Sequence, residues 1–400
     1  MVTTAASYTL ENSQASAGQG FDGVVRVVYD GHYGTGTLLY DGRAVVTAAH
    51  LFRERSGTAT ISFETLTGVT TITSADITIH PGYDPVNGNN DLALVWLNHS
   101  APVTAERYPL YRESDAIGKE MTLVGYGTPG IGANGTDESY TGPPLRLKAK
   151  NTFDAEGTDL SEHFGTQLSW TPLPGTQLLA DFDNGTNVND AIGKLLGVPH
   201  PGLGISEGLI SPGDSGGPAF IEAQLAGIAS YTTSLSTGLV HPDIDSQLNS
   251  SFGEIAAWQN ISSYQSWIDQ SLRAQYIDAP KNAKEVQTQV WEGNSGTSLV
   301  YFLLEFTGIR NQPTDILSVE YTTRDGTAVA GEDYLATIGT LNLYPGETEA
   351  VIAVEIIGDT KPESNETFFL DVFNPVGGSF GEGVVKLTAV RTILDDDWIG

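Results

Sequence analysis

The chain of 400 residues contains no cysteine. That excludes disulfides, thiolate metal sites and thiol nucleophiles, and it leaves the redox compartment unreadable. Stability must come from packing or from ions. Basic residues are scarce too: 19 Lys and Arg face 49 Asp and Glu, for a formal net charge of −30. The imbalance runs through the whole chain, with 12 basic against 29 acidic residues up to position 275 and 7 against 20 beyond it. A field of that sign repels nucleic acid and anionic membranes, and it suits solubility, saline surroundings or bound divalent cations. No run of about 18 apolar residues occurs, so no membrane span is expected. Residues 1–20 lack the basic and apolar parts of a signal peptide. A leader for export would therefore lie outside this sequence.

What is abundant points to strands and turns. Gly contributes 46 residues, Pro 19, and charged residues only 17%, while Val, Thr, Ile and Tyr recur in short runs. The length suggests two domains. Residues 1–20, polar and without a basic residue, read as a loose leader or propeptide remnant. Short β-like runs follow at 24–29, 36–39, 44–48, 58–63, 70–73 and 92–97, the spacing of an antiparallel barrel or sandwich. Ile261, Tyr264, Trp267, Ile268 and Leu272 fall at helical spacing, with Asn260 placed to cap the helix. After a connector at 278–286, a second strand series begins, clearest at 299–306, 317–323, 350–357 and 367–373.

Three segments carry chemistry: Thr47-Ala48-Ala49-His50, Asn90-Asp91-Leu92-Ala93-Leu94 and Gly213-Asp214-Ser215-Gly216-Gly217-Pro218. A serine hydroxyl becomes a nucleophile when an imidazole takes its proton, and the imidazole works best when a buried carboxylate fixes its tautomer. His50, Asp91 and Ser215 supply these groups in the order His, Asp, Ser. The glycines beside Ser215 allow a turn tight enough to aim two backbone N–H groups at an oxyanion, a task expected of Gly213 and Ser215. The other six histidines, His32, His80, His99, His163, His200 and His241, read as structural or surface residues.

On these motifs residues 21–277 resemble the trypsin-like serine proteases. His80-Pro81-Gly82-Tyr83, Gly125-Tyr126-Gly127 and the helix with Tyr264 and Trp267 agree with that family. The resemblance implies a chymotrypsin-like double β-barrel, a protein or peptide substrate and a secreted or extracellular location. It implies a substrate pocket built on Leu209 and walled by Ser230, Tyr231 and Thr232. A pocket floored by leucine suits apolar or small side chains, since a buried ammonium without a counter-ion is costly. Glu207, two residues away, would reverse that preference under another register. The family's usual activation segment has its nearest counterpart at Phe21-Asp22-Gly23-Val24, but no basic residue precedes Arg26, which argues against a trypsin-like activating cut. Residues 128–208 are long and unlike the family. Within them Asp181-Phe182-Asp183-Asn184-Gly185 reads either as an Asx-rich turn or as a calcium loop.

Residues 287–398 resemble the Calx-beta domain, through Thr323-Arg324-Asp325-Gly326-Thr327-Ala328, Gly331-Glu332-Asp333-Tyr334, Gly339-Thr340-Leu341, Pro345-Gly346-Glu347, the stretch 363–368 and Asp395-Asp396-Asp397. This implies a second fold, an immunoglobulin-like β-sandwich, so the fold class as a whole is mainly β. It also implies a calcium site among Glu292, Asp333, Asp359, Glu363, Glu366, Asp395, Asp396 and Asp397. Gly358, Thr360 and Lys361 depart from the calcium-binding members, which favours one ion over several. A cell-surface or extracellular partner for this domain follows from the resemblance. A rival reading, from another class, is a catalytically idle adhesion or binding protein on the same folds, and an esterase is a third. No cofactor is expected for catalysis itself.

Overall fold

A computed structural model describes residues 2–52 and 57–397. The chain forms two compact units, one of residues 1–99 with 104–265 and the other of 100–103 with 266–400. In the first unit six antiparallel strands close into a barrel, in the order Val24–Tyr29, His32–Leu38, Ala44–Thr47, Ala93–Leu97, Gly68–Ile79 and Thr60–Thr65, back to the first. Strand Thr60–Thr65 shows how the sequence builds it: Ile61, Phe63 and Thr65 point inward and are buried, and the residues between them are half-exposed. Ala93–Leu97 is buried along its whole length, with Asp91 just before it and the His80 N–H, at the end of Gly68–Ile79, on the Leu92 carbonyl.

A second, seven-stranded antiparallel sheet runs in the order Leu147–Thr152, Glu120–Gly125, Pro218–Ile221, Gln224–Thr233, Ile255–Asn260, Gln177–Asp181 and Ala155–Glu156. Its core packs Phe153, Phe182 and Trp258, all fully buried, with Leu123, Leu147 and Leu209. These two sheets make the double β-barrel, the second of them a seven-stranded sheet. Helix Ile261–Ala274 follows, and Asn260 Oδ1 accepts from the Ser262 N–H at 3.3 Å, the expected cap.

Residues 2–20 are not loose. Val2 is fully buried, Thr3–Thr4 pairs antiparallel with Gly208–Leu209 and parallel with Gly130–Ile131, and Ala15 is buried with its N–H on the Arg146 carbonyl. Their polar composition concealed two things that hold them: a few small apolar side chains that fit the core, and backbone groups that find sheet partners. Asp22, in the segment matched to the family's activation site, is buried and bonded to the Arg146 guanidinium at 2.8 Å. Arg146 also donates to the carbonyls of Ala15, Val24 and Glu64, so one side chain ties together four backbone or carboxylate acceptors.

The second unit is a β-sandwich. Five strands lie in the order Gln289–Trp291, Lys386–Leu394, Glu366–Val376, Leu317–Asp325 and Ile338–Leu343, and Thr297–Glu305 pairs with Glu349–Ile357. Val300, Phe302, Tyr321, Tyr334, Ile352 and Phe368 fill the space between, the rings of Tyr334 and Phe368 stacking at 4.5 Å. The division between units falls inside helix Ile261–Ala274, ahead of the connector expected to separate them. Its last turns belong with the second unit, where Asp269 accepts from the Tyr344 hydroxyl at 2.6 Å and Arg273 pairs with Glu347 at 3.0 Å.

Candidate active site

His50 stands on a single turn of 3-10 helix, Ala49–Leu51, directly after the buried strand Ala44–Thr47. Asp91 precedes Ala93–Leu97, the neighbour of that strand in the barrel. Between His80 and Asp91 the chain must reverse, and Asn90 takes a left-handed φ of 54° while its amide donates to the Gly82 carbonyl at 2.7 Å. That turn presents Asp91, buried, to His50.

The carboxylate is held at three points. Its Oδ1 accepts the His50 backbone N–H at 2.8 Å; its Oδ2 meets His50 Nδ1 at 2.7 Å and accepts the Ser230 hydroxyl at 2.6 Å. An ionised carboxylate can only accept, so the Nδ1 proton points at Asp91 and Nε2 is the ring nitrogen left to exchange a proton. Ser230, expected as pocket wall, thus has a second role that no sequence motif signalled.

Ser215 lies in a turn fixed by Asp214, whose burial pushes its carboxyl pKa up. Asp214 Oδ1 accepts from the Gly127 N–H, its Oδ2 accepts from the Ser211 N–H and hydroxyl, and the Gly217 N–H closes onto the Asp214 carbonyl. The Gly125-Tyr126-Gly127 strand end therefore serves to seat this aspartate. The Ser215 carbonyl accepts from Thr35, and Gly216 packs against the His50 segment so closely that a Cβ would lie 1.9 Å from Thr47 Oγ1 and 2.7 Å from the Ala48 nitrogen. Gly213 adopts φ 100°, open to glycine and strained for other residues. Among the described residues, neither the Gly213 nor the Ser215 N–H has a protein acceptor.

His50 and Asp91 border a cleft of about 460 Å³ whose walls include Tyr83, Val86, Trp170 and Tyr231. Trp170 meets Tyr231 edge to face at 5.9 Å, and the Tyr231 hydroxyl is anchored on Gln177. Ser230, Tyr231 and Thr232 line this cleft; Leu209 does not, being buried in the core beside Val2. Glu207 is also buried, but its carboxylate turns to the N–H groups of Asp183 and Leu203. Trp170 could not be found from sequence, because it comes from the stretch 128–208 that matches no motif.

In the second unit the eight carboxylates sort into two groups and a remainder. Glu292, Asp359 and Asp397 bring oxygens within 4.8 Å of one another, as do Asp333, Glu363 and Glu366. Asp395 and Asp396 stand beside them, their carboxylates accepting the backbone N–H groups of Asp397 and Gly293. Burial, with Asp359 and Asp395 nearby, pushes Glu292 up to about 7. Glu292 Oε1 and Asp397 Oδ2 are buried without hydrogen-bond partners. The two groups arise because the sandwich brings together residues at 292, 333, 359–366 and 397.

Comparison with known proteins agrees with both halves. The family model Trypsin matches residues 11–147, and the Calx-beta domain model matches 304–397. Among curated proteins, sodium/calcium exchanger 2 of Homo sapiens is 32% identical over 156 residues, 32% of this chain and 17% of the exchanger. The sodium/calcium exchanger Calx of Drosophila melanogaster is 43% identical over 86 residues, 21% of this chain and 8% of that protein. The chain spans less than a fifth of the length of these relatives. Among the described residues, no helix is long and apolar enough to cross a membrane.

Proposed function

Since the chain joins a trypsin-like domain to a C-terminal Calx-beta domain, we propose that it is a secreted serine endopeptidase with His50, Asp91 and Ser215 as its triad. The observation that carries this reading is the buried Asp91 carboxylate, bonded to both the backbone and the ring of His50. In the mechanism, Ser215 Oγ attacks the peptide carbonyl carbon while His50 Nε2 takes the hydroxyl proton. The oxyanion of the tetrahedral intermediate receives the Gly213 and Ser215 N–H groups. His50 then gives its proton to the departing amine, leaving an acyl-serine. A water molecule, deprotonated by His50, attacks the acyl carbon, and the proton returns to Ser215 as the acid leaves. Asp91 stays ionised throughout and stabilises the imidazolium. Losing one oxyanion donor costs about 2.7–4 kcal/mol of transition-state stabilisation, which makes the Gly213 turn second only to the triad.

The aromatic walls from Tyr83, Trp170 and Tyr231 suit extended peptides with apolar side chains. In the Calx-beta domain the residues fit calcium: two sets of three carboxylates, with buried oxygens left unpartnered, match a hard cation that takes six to eight oxygens. Glu292, Asp359 and Asp397, with Asp333, Glu363 and Glu366, would hold it. Bound there, calcium would neutralise the carboxylates and order the loops, with no part in the peptide chemistry.

The test is labelling of the purified protein by a fluorophosphonate probe, with Ser215→Ala as control and peptide and ester substrates compared. Labelling of the wild type alone, with peptide cleavage, is expected. Ester hydrolysis alone would replace the peptidase by an esterase. No labelling would overturn the enzyme and leave an adhesion or binding protein.

A further inference from the structure

A third group of carboxylates lies in the first unit. Asp181, Asp183 and Asp190 are buried, at 1%, 1% and 2% exposure, and one oxygen from each comes within 4.8 Å of an oxygen from each of the others. Asp154 and Glu207 adjoin them. The available donors are mostly committed. Asp181 Oδ2 accepts the Ile192 N–H at 2.6 Å. Asp190 caps helix Ala191–Leu196 through the Gly193 N–H at 2.7 Å and takes the His200 N–H at 3.0 Å. Glu207 accepts from the N–H groups of Asp183 and Leu203. The His200 imidazole lies 3.4 Å from Asp154 and is 38% exposed.

Asp183 differs from the rest. Its Oδ1 is buried and has no hydrogen-bond partner. A buried carboxylate oxygen without a partner is costly unless a proton or a cation meets it. Oxygens bound to one calcium at about 2.3–2.6 Å stand up to about 5 Å apart, and these three lie within 4.8 Å of one another. Burial and the neighbouring carboxylates raise the pKa of Asp154, Asp181 and Asp183 together, and Glu207 is pushed up to about 7, as expected of a cluster short of positive charge.

We propose that Asp181, Asp183 and Asp190 hold one calcium ion that fastens residues 181–207 onto the second sheet. The site is separate from the sandwich groups and independent of whether Ser215 is active. Asn184 is outside it: its Oδ1 accepts the Thr186 N–H and hydroxyl in an Asx turn. The two sequence readings of this motif therefore apply to different residues, Asn184 making the turn and the aspartates the metal site. Through Glu207 the loop is continuous with Gly208–Leu209 and the Ser211 turn beyond it.

The test uses the full chain stripped of metal and titrated with calcium, in the wild type, in Asp183→Asn and in Glu292→Gln as a sandwich control. Equilibrium dialysis counts bound ions, and hydrogen exchange followed by peptide mass spectrometry localises the response. Asp183→Asn is expected to bind one calcium fewer per chain than the wild type. Calcium should slow exchange in peptides from 181–207 in the wild type and in Glu292→Gln, and fail to do so in Asp183→Asn. Because an amide in place of this carboxylate relieves repulsion, metal-free Asp183→Asn should exchange no faster there than the metal-free wild type, which separates loss of the ion from loss of the fold. Wild-type stoichiometry in Asp183→Asn, or exchange at 181–207 that ignores calcium, would overturn the proposal and assign protons to these carboxylates.

Discussion

Asp91 shows how far a single side chain can be specified by its surroundings. Ser230→Ala removes one of its three bonds without touching the nucleophile or the base. A hydrogen bond to a charged acceptor is worth about 1.5–3 kcal/mol, so kcat/KM should fall roughly 10- to 100-fold, mainly in kcat, measured on a peptide substrate. Asp371, in the sandwich, offers an acid-side test. The Thr388 hydroxyl, then Lys386 and Arg324, hold its carboxyl down at about 2. A depressed carboxyl contributes stability above its unfolded pKa and loses it as pH falls through the folded value. Wild type should therefore weaken between about pH 4 and pH 2 more steeply than Asp371→Asn in urea unfolding. The pairing of His50 with Asp91 was legible in the sequence, because its motifs carry the residue types that the chemistry demands. Ser230 as a bond to Asp91 and Trp170 as a wall were not, because β-sheet register and a loop without a motif bring them there.

At the scale of elements, the Asp22–Arg146 pair takes over work that a cross-link would do in a chain with cysteines. It joins the segment at 15–24 to strand Leu147–Thr152, and both partners are buried. Breaking a buried pair leaves an uncompensated charge, so Arg146→Met should cost about 3–5 kcal/mol by chemical denaturation. The double variant Asp22→Leu with Arg146→Met should recover much of that loss, because neither charge remains. Strand 24–29 and the capped helix after Asn260 were readable because their apolar period matches their geometry. Strand Gly68–Ile79 runs well beyond the 70–73 read from sequence, since most of its residues are polar and exposed and only its ladder reveals it. The N-terminal segment misled for the opposite reason: Thr3 and Thr4 are polar yet buried, with their backbone paired in a sheet, and composition alone cannot register a hydrogen-bond partner.

For the whole molecule, a chain at −30 that gathers carboxylates in three places should depend on divalent cations for its stability. Calcium at 100 times its Kd adds about 2.7 kcal/mol per site to whichever unit binds it. Calorimetry with calcium against chelator should show an upward shift in unfolding temperature, and Glu292→Gln should lose the part of that shift that belongs to the sandwich. The pairing of Thr3–Thr4 with Gly208–Leu209 carries a different consequence, for the order of events during synthesis. Thr3 meets Leu209 across 206 positions, so this strand has no antiparallel partner until the intervening residues have been made. Contacts so remote in sequence form late and slow the search for the native state. While the ribosome is still making the intervening stretch, the edge that Gly208–Leu209 later covers stays exposed, and a nascent chain halted there would need a chaperone rather than time.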